Sequence, residues 1–98
     1  MTSNMFIFVR FHTRPGNEAA LKDALQEVLV PTRHESGCIS IHSFQSHYDP
    51  QLFFIHSRWE DAAAFKLHRG LPHTQKFVGR VVPLIDHPFD LTRTEQIG

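Results

Sequence analysis

The chain has 98 residues, 41% of them hydrophobic, and its ten Lys and Arg are balanced by ten Asp and Glu. That length supports one domain, residues 1–98 with a core over about 5–93, burying only roughly 60–68% of its unfolded surface, so a second copy would add useful burial. Zero formal charge gives no electrostatic reason to expect nucleic acid or an anionic membrane as partner, and no apolar run approaches the ~20 residues of a membrane span. The single cysteine, Cys38, excludes an intrachain disulfide, and Met1-Thr2-Ser3-Asn4 lacks the basic and apolar segments of a signal peptide, so the expected location is cytoplasmic.

Met5 to His12 is aromatic and β-branched and predicts a first strand. The turn Arg14-Pro15-Gly16-Asn17 follows, with Asn17 placed to cap a helix. From Glu18 the apolar positions Ala20, Leu21, Ala24, Leu25, Val28 and Leu29 recur at three- and four-residue spacing, an amphipathic helix that Pro31 should end or kink. Cys38 to Ser46 predicts a second strand and Leu52 to Trp59 a third, joined by a short loop as a hairpin. Asp61 opens a second helix that Gly70 and Pro72 break, and a shorter helix covers His73 to about Val81. Pro88 to Thr92 reads as the last strand, with a loose tail from Thr94. The order β-α-β-β-α-β is that of an α+β ferredoxin-like fold, one antiparallel sheet with its helices on one face. With so many phenylalanines on the strands, the other face calls for a cover, and a second copy of the sheet is the expected one.

Four segments carry a family resemblance: Arg14-Pro15-Gly16, Pro31-Thr32-Arg33-His34-Glu35-Ser36-Gly37-Cys38, Arg58-Trp59-Glu60-Asp61, and His68 with Leu71-Pro72-His73. In this order and on this topology the chain resembles the antibiotic biosynthesis monooxygenase (ABM) family over nearly its whole length. The resemblance implies a homodimer in which two sheets face each other as an α+β barrel, with a small-molecule pocket between each sheet and its helices. Relatives include monooxygenases that oxidise phenolic or quinol substrates with no metal or flavin, haem-degrading oxygenases, and an isomerase acting on a phosphorylated sugar. The places where haem-degrading relatives carry Asn, Trp and His hold Val9, His68 and Val78 here, which argues against haem degradation. Ile55 stands where some cofactor-free relatives carry an Asn four residues before the strand-three Trp.

A cofactor-free oxygenase works by ionising its substrate to an electron-rich phenolate or enolate, which reacts with dioxygen far more readily than the neutral molecule. The protein must remove a proton, stabilise the anion and exclude water. His68 and His73 are the candidate bases. His73 follows Pro72 in the first turn of a helix, where a capping role competes with that of base. Alternation puts Phe53, Ile55, Ser57 and Trp59 on one face of strand three and Phe54, His56, Arg58 and Glu60 on the other. Ile55, Ser57 and Trp59, with Phe65 and Phe77 from the helices, are therefore the expected substrate contacts, although Trp59 reads equally well as a core residue locking strand three to the second helix. No H-x-x-x-H occurs and no carboxylate joins the histidines at a zinc spacing, so neither metal nor other cofactor is expected. Cys38 reads as a small buried residue rather than a nucleophile. The expected activity is cofactor-independent monooxygenation of a small aromatic or quinol-like compound by molecular oxygen. The alternatives are an isomerase or other acid-base enzyme of the same fold, and a ligand-binding module without turnover.

Overall fold

The computed structural model describes residues 4–98; Met1, Thr2 and Ser3, on which the targeting expectation partly rests, lie outside them. Four strands, β1 (Met5–His12), β2 (Cys38–Gln45), β3 (Leu52–Trp59) and β4 (Asp90–Thr94), form one sheet in the order β2-β3-β1-β4. Every neighbouring pair is antiparallel. Three helices, α1 (Glu18–Arg33), α2 (Ala62–Gly70) and α3 (Pro72–Val81), follow the predicted order. Ile7, Val9, Phe11, Ile41, Phe53, Ile55 and Trp59 form the buried side of the sheet, packed with Leu21, Leu25 and Leu29 of α1, Phe65 of α2 and Val81 of α3. The chain is thus α+β with the ferredoxin-like arrangement, as expected.

β1 and β3 start and stop where their alternation predicts, because each has a clean buried side and an open one. β4 departs from expectation: it begins at Asp90, not Pro88, and includes Thr94. Pro88 and Phe89 precede the ladder, while the Thr94 hydroxyl donates to the Phe6 carbonyl at 2.8 Å and closes the strand. Asn17 occupies the N-cap of α1, but its amide donates to the Leu84 carbonyl at 3.3 Å instead of capping the helix. That bond ties the start of α1 to a single 3-10 turn, Val82–Leu84, which no sequence signal announced. Pro31 does not end α1, because a proline so near the C-terminus removes one hydrogen bond of the final turn and leaves the rest intact. The Thr32 hydroxyl donates to the Val28 carbonyl at 2.7 Å beside it.

Two details position the site. Asp61 caps α2 by accepting from the Ala64 amide at 2.9 Å, which fixes the helix that carries His68. Gly37 presses against that helix so closely that a β-carbon there would overlap the Ala64 side chain, and its carbonyl accepts from the Glu60 amide at 3.0 Å. The segment bearing Glu35 is therefore held against α2 and the end of β3.

The other side of the sheet is uncovered among the described residues. Cross-strand rows run Thr94, Phe6, Arg58, Ser40, then Thr92, Phe8, His56, His42, then Asp90, Arg10, Phe54, Phe44. Phe8 is 50% exposed and Phe44 45%. His56 stacks beside Phe6 and Phe8, and the Arg58 guanidinium lies over the Phe6 ring at 5.2 Å, a cation-π contact rather than an ion pair within the chain.

Candidate active site

Between the buried side of the sheet and the helices lies a cavity of about 300 Å³. That is the lower end of the range typical for small-molecule sites. Its lining is mostly hydrocarbon and aromatic, with Ile7, Val9 and Phe11 from β1, Ile55 from β3, Phe65 from α2, Phe77 and Val78 from α3, and Leu91 from β4. Val9, Ile55 and Val78, which stand where the relatives compared above carry polar groups, all contribute to this apolar wall. Its polar groups are Thr32, Ser57, His68, Arg69, Thr74 and Gln75.

His68 is the one imidazole among them, and its surroundings define its chemistry. Its Nδ1–H donates to Glu35 Oε2 at 2.8 Å, and the His73 Nε2–H donates to the same oxygen at 2.7 Å. An ionised carboxylate only accepts, so these contacts place a ring proton on Nδ1 of His68 and on Nε2 of His73. With Nδ1 of His68 engaged, Nε2 is the nitrogen left to meet a ligand. The Trp59 ring packs 4.6 Å from the His68 ring, centroid to centroid, and Phe65 lies 5.9 Å away. Burial among these rings pushes the His68 pKa below the ordinary imidazole value, against the opposing pull of Glu35, and His73 adds to the lowering. The neutral ring is therefore the favoured form.

Ser57 is buried on the cavity wall and accepts the Trp59 indole N–H at 2.9 Å. Its own hydroxyl proton stays available for an acceptor in the cavity. Burial, with Glu35 second, raises the pKa of Cys38, so this residue stays a thiol.

Of the residues expected at the substrate, Ile55, Ser57, Phe65, Phe77 and His68 line one cavity. Trp59 does not line it. The indole is fully buried one layer behind, where it supports His68 and holds Ser57. His73, the other candidate base, faces a neighbouring cavity beside α1 together with Pro31, Phe77 and Arg80. The residue missed from sequence is Glu35. No carboxylate stands at a ligand-like spacing in the sequence, yet the fold carries Glu35 to both imidazoles from 33 and 38 residues away.

Comparison with known proteins agrees with this architecture. The chain is similar to the Mycobacterium tuberculosis protein "Putative monooxygenase Rv0793", 33% identical over 92 residues that cover 94% of this chain and 90% of the relative. The solved structure of that protein superposes with a TM-score of 0.92 at 28% identity, covering 98% of this chain and 97% of the other. The Bacillus subtilis protein "Putative monooxygenase YcnE" is 28% identical over 82 residues, 84% of this chain and 86% of its own. The crystal structure of PA3566 from Pseudomonas aeruginosa, at 23% identity, shares the fold with a TM-score of 0.92 over 100% of this chain and 98% of that one. The family described as antibiotic biosynthesis monooxygenase matches residues 5–80, and the chain belongs to that family.

Proposed function

We propose that the protein is a cofactor-independent monooxygenase that oxidises a small dihydroxyaromatic or quinol-like compound with molecular oxygen. The observation that carries this reading is His68: a largely buried imidazole, oriented through Nδ1 by Glu35, lining a mostly apolar cavity. Nε2 removes the phenolic proton, and the resulting anion is rich enough in electrons to reduce dioxygen. The Ser57 hydroxyl donates to the developing negative charge. Ile55, Phe65 and Phe77 hold the ring and exclude water, which strengthens both polar contacts. One oxygen atom enters the product as a hydroxyl on the ring and the other leaves as water. The substrate passes from quinol to hydroxyquinone and supplies every electron that dioxygen takes up. Trp59 and Glu35 act through their neighbours as positioning residues.

The open sheet face supports a homodimer as the working form. Its exposed Phe8 and Phe44 gain burial, and its histidines and arginines keep solvent, if a second sheet closes a wet barrel over them. Light scattering reads this directly, since Phe8→Glu converts a dimer to monomer without touching the cavity.

The test of the activity is oxygen uptake by chelator-treated protein with a panel of dihydroxyaromatics. Uptake with formation of the hydroxyquinone is expected, falling about 10²–10⁴-fold in His68→Gln. Uptake undiminished by that substitution overturns the base assignment. Proton exchange at a substrate carbon without oxygen, and no uptake across the panel, assigns an isomerase instead.

A further inference from the structure

Glu35, His68 and His73 do more than share a proton network. Their donor atoms, one carboxylate oxygen and two imidazole nitrogens, all lie within 4.8 Å of one another, and among the described residues this is the one place where three such donors converge. We propose that they form a site for a single divalent transition-metal ion of the zinc class, and that the ion, when bound, turns off the base.

The donor set fits. Zinc takes imidazole nitrogen and carboxylate oxygen readily, and three protein ligands with one position left to water is a common arrangement. Bonds of about 2.0–2.1 Å set the edges of a tetrahedron at roughly 3.3 Å. The existing separations to Glu35 are 2.8 and 2.7 Å and the two ring nitrogens lie within 4.8 Å of each other, so two edges open by about half an ångström while the third settles near the same roughly 3.3 Å. Few waters must be displaced from the ligands, whose side chains are 12%, 12% and 26% exposed for Glu35, His68 and His73. The ligands are also braced. His68 belongs to α2, His73 to the first turn of α3, and Glu35 to the segment that Gly37 packs against α2.

The consequence for catalysis follows from which nitrogen is taken. The ion replaces the proton on Nδ1 of His68, and a neutral imidazole bound through Nδ1 carries its proton on Nε2. His73 changes tautomer in the opposite sense, moving its proton to Nδ1. Each ligating ring thus carries its one proton on the nitrogen away from the ion. Nε2 of His68 then donates where it previously accepted, and it cannot take a proton from the substrate. This second half rests on the base role proposed above; the metal site itself does not.

Titration of chelator-stripped protein with cobalt(II), followed by its visible d–d band and competed with zinc, tests the site without any turnover. One ion per chain is expected, with affinity lowered in Glu35→Gln and His73→Gln by at least the roughly 100-fold that loss of a mere supporting partner costs. His12→Gln, at the far cluster of histidine and aspartate, is expected to keep full affinity. X-ray absorption of the zinc-loaded wild type reads the two imidazoles and one carboxylate even if a variant folds poorly. Absence of a bound ion, or wild-type affinity in the Glu35 and His73 variants, overturns the site. Should zinc bind there while oxygen uptake persists, the site stands and the inhibitory role falls; uptake that declines with zinc loading and returns on chelation supports both.

Discussion

Two clusters in this molecule combine imidazole with carboxylate, and they behave in opposite ways. At the end of the sheet, His12 donates from Nδ1 to Asp86 at 2.6 Å and from Nε2 to Asp49 at 3.1 Å, with His87 also bonded to Asp86. Here two carboxylates, Asp86 first, act on a ring in contact with water and raise its pKa. Beside the cavity the proportions reverse, one carboxylate serving two imidazoles, and burial lowers the pKa of His68 despite the ion-pairing partner. The same side chains make a charged clasp where solvent is present and a neutral, oriented imidazole where it is excluded. What separates these two histidines in this fold is the wall of Trp59 and Phe65 around His68.

The largest effect expected from that contrast concerns the carboxylates. Glu35→Gln puts an amide against Nδ1, where it can donate and stabilise the wrong tautomer of His68. By analogy with the amide replacement of the triad carboxylate in serine proteases, kcat should fall by up to about 10⁴-fold with little change in KM. Asp86→Asn, the equivalent change in the outer cluster, leaves kcat unaltered. Equal losses in the two variants, measured by steady-state oxygen uptake, would erase the distinction between the clusters.

The wall should matter to stability as much as to position. Trp59→Ala is expected to cost about 3–5 kcal/mol, because the indole is fully buried and its loss leaves a cavity beside His68. Denaturant unfolding measures it, and a cost below 1 kcal/mol, on the order of a surface change, contradicts the placement. Gly37→Ala, which forces a methyl against Ala64, should cost about 1–3 kcal/mol and displace Glu35. Its signature is a joint loss of stability and kcat.

The smallest effect belongs to the outer clasp. His12 has a raised pKa, so its contribution is complete below the ordinary imidazole value and disappears as pH rises through the raised one. Asp49 is lowered, first by the Gln51 amide and then by His12, and Asp86 is lowered by His12 and His87; their share disappears as pH falls through the lowered values. Arg10 adds a further pull on Asp49. The excess urea midpoint of wild type over His12→Gln should therefore be greatest between roughly pH 4 and 6.5 and shrink toward both sides. A difference that grows steadily with pH contradicts the clasp.

Much of the fold was legible because it rests on periodicity. The clean alternation of β1 and β3 gave their limits to the residue, and the apolar stripe of α1, apart from the exposed Ala20, gave its buried side. β4 was misplaced by two residues because the apolar Phe89 lies just before the ladder, whereas its paired residues Asp90, Thr92 and Thr94 are polar. The candidate site was half legible. His68, Ser57, Ile55, Phe65 and Phe77 share a cavity because strand alternation and helix spacing govern where they sit. Glu35 was hidden, since nothing local couples a loop residue to imidazoles more than thirty positions away. Its proximity to Gly37 was the available hint, a glycine marking a close approach between backbone and helix. Trp59 reads equally well from sequence as pocket wall or core residue, and its complete burial behind the cavity favours the core reading.

The account turns on one proton. Long-range nitrogen–proton correlation spectra of metal-free protein at neutral pH distinguish the two neutral tautomers of His68 from each other and from the imidazolium, with His68→Gln providing the assignment. A neutral ring protonated on Nδ1, with Nε2 bare, is the predicted result. A ring protonated on Nε2, or on both nitrogens, contradicts it and leaves the cavity without its base.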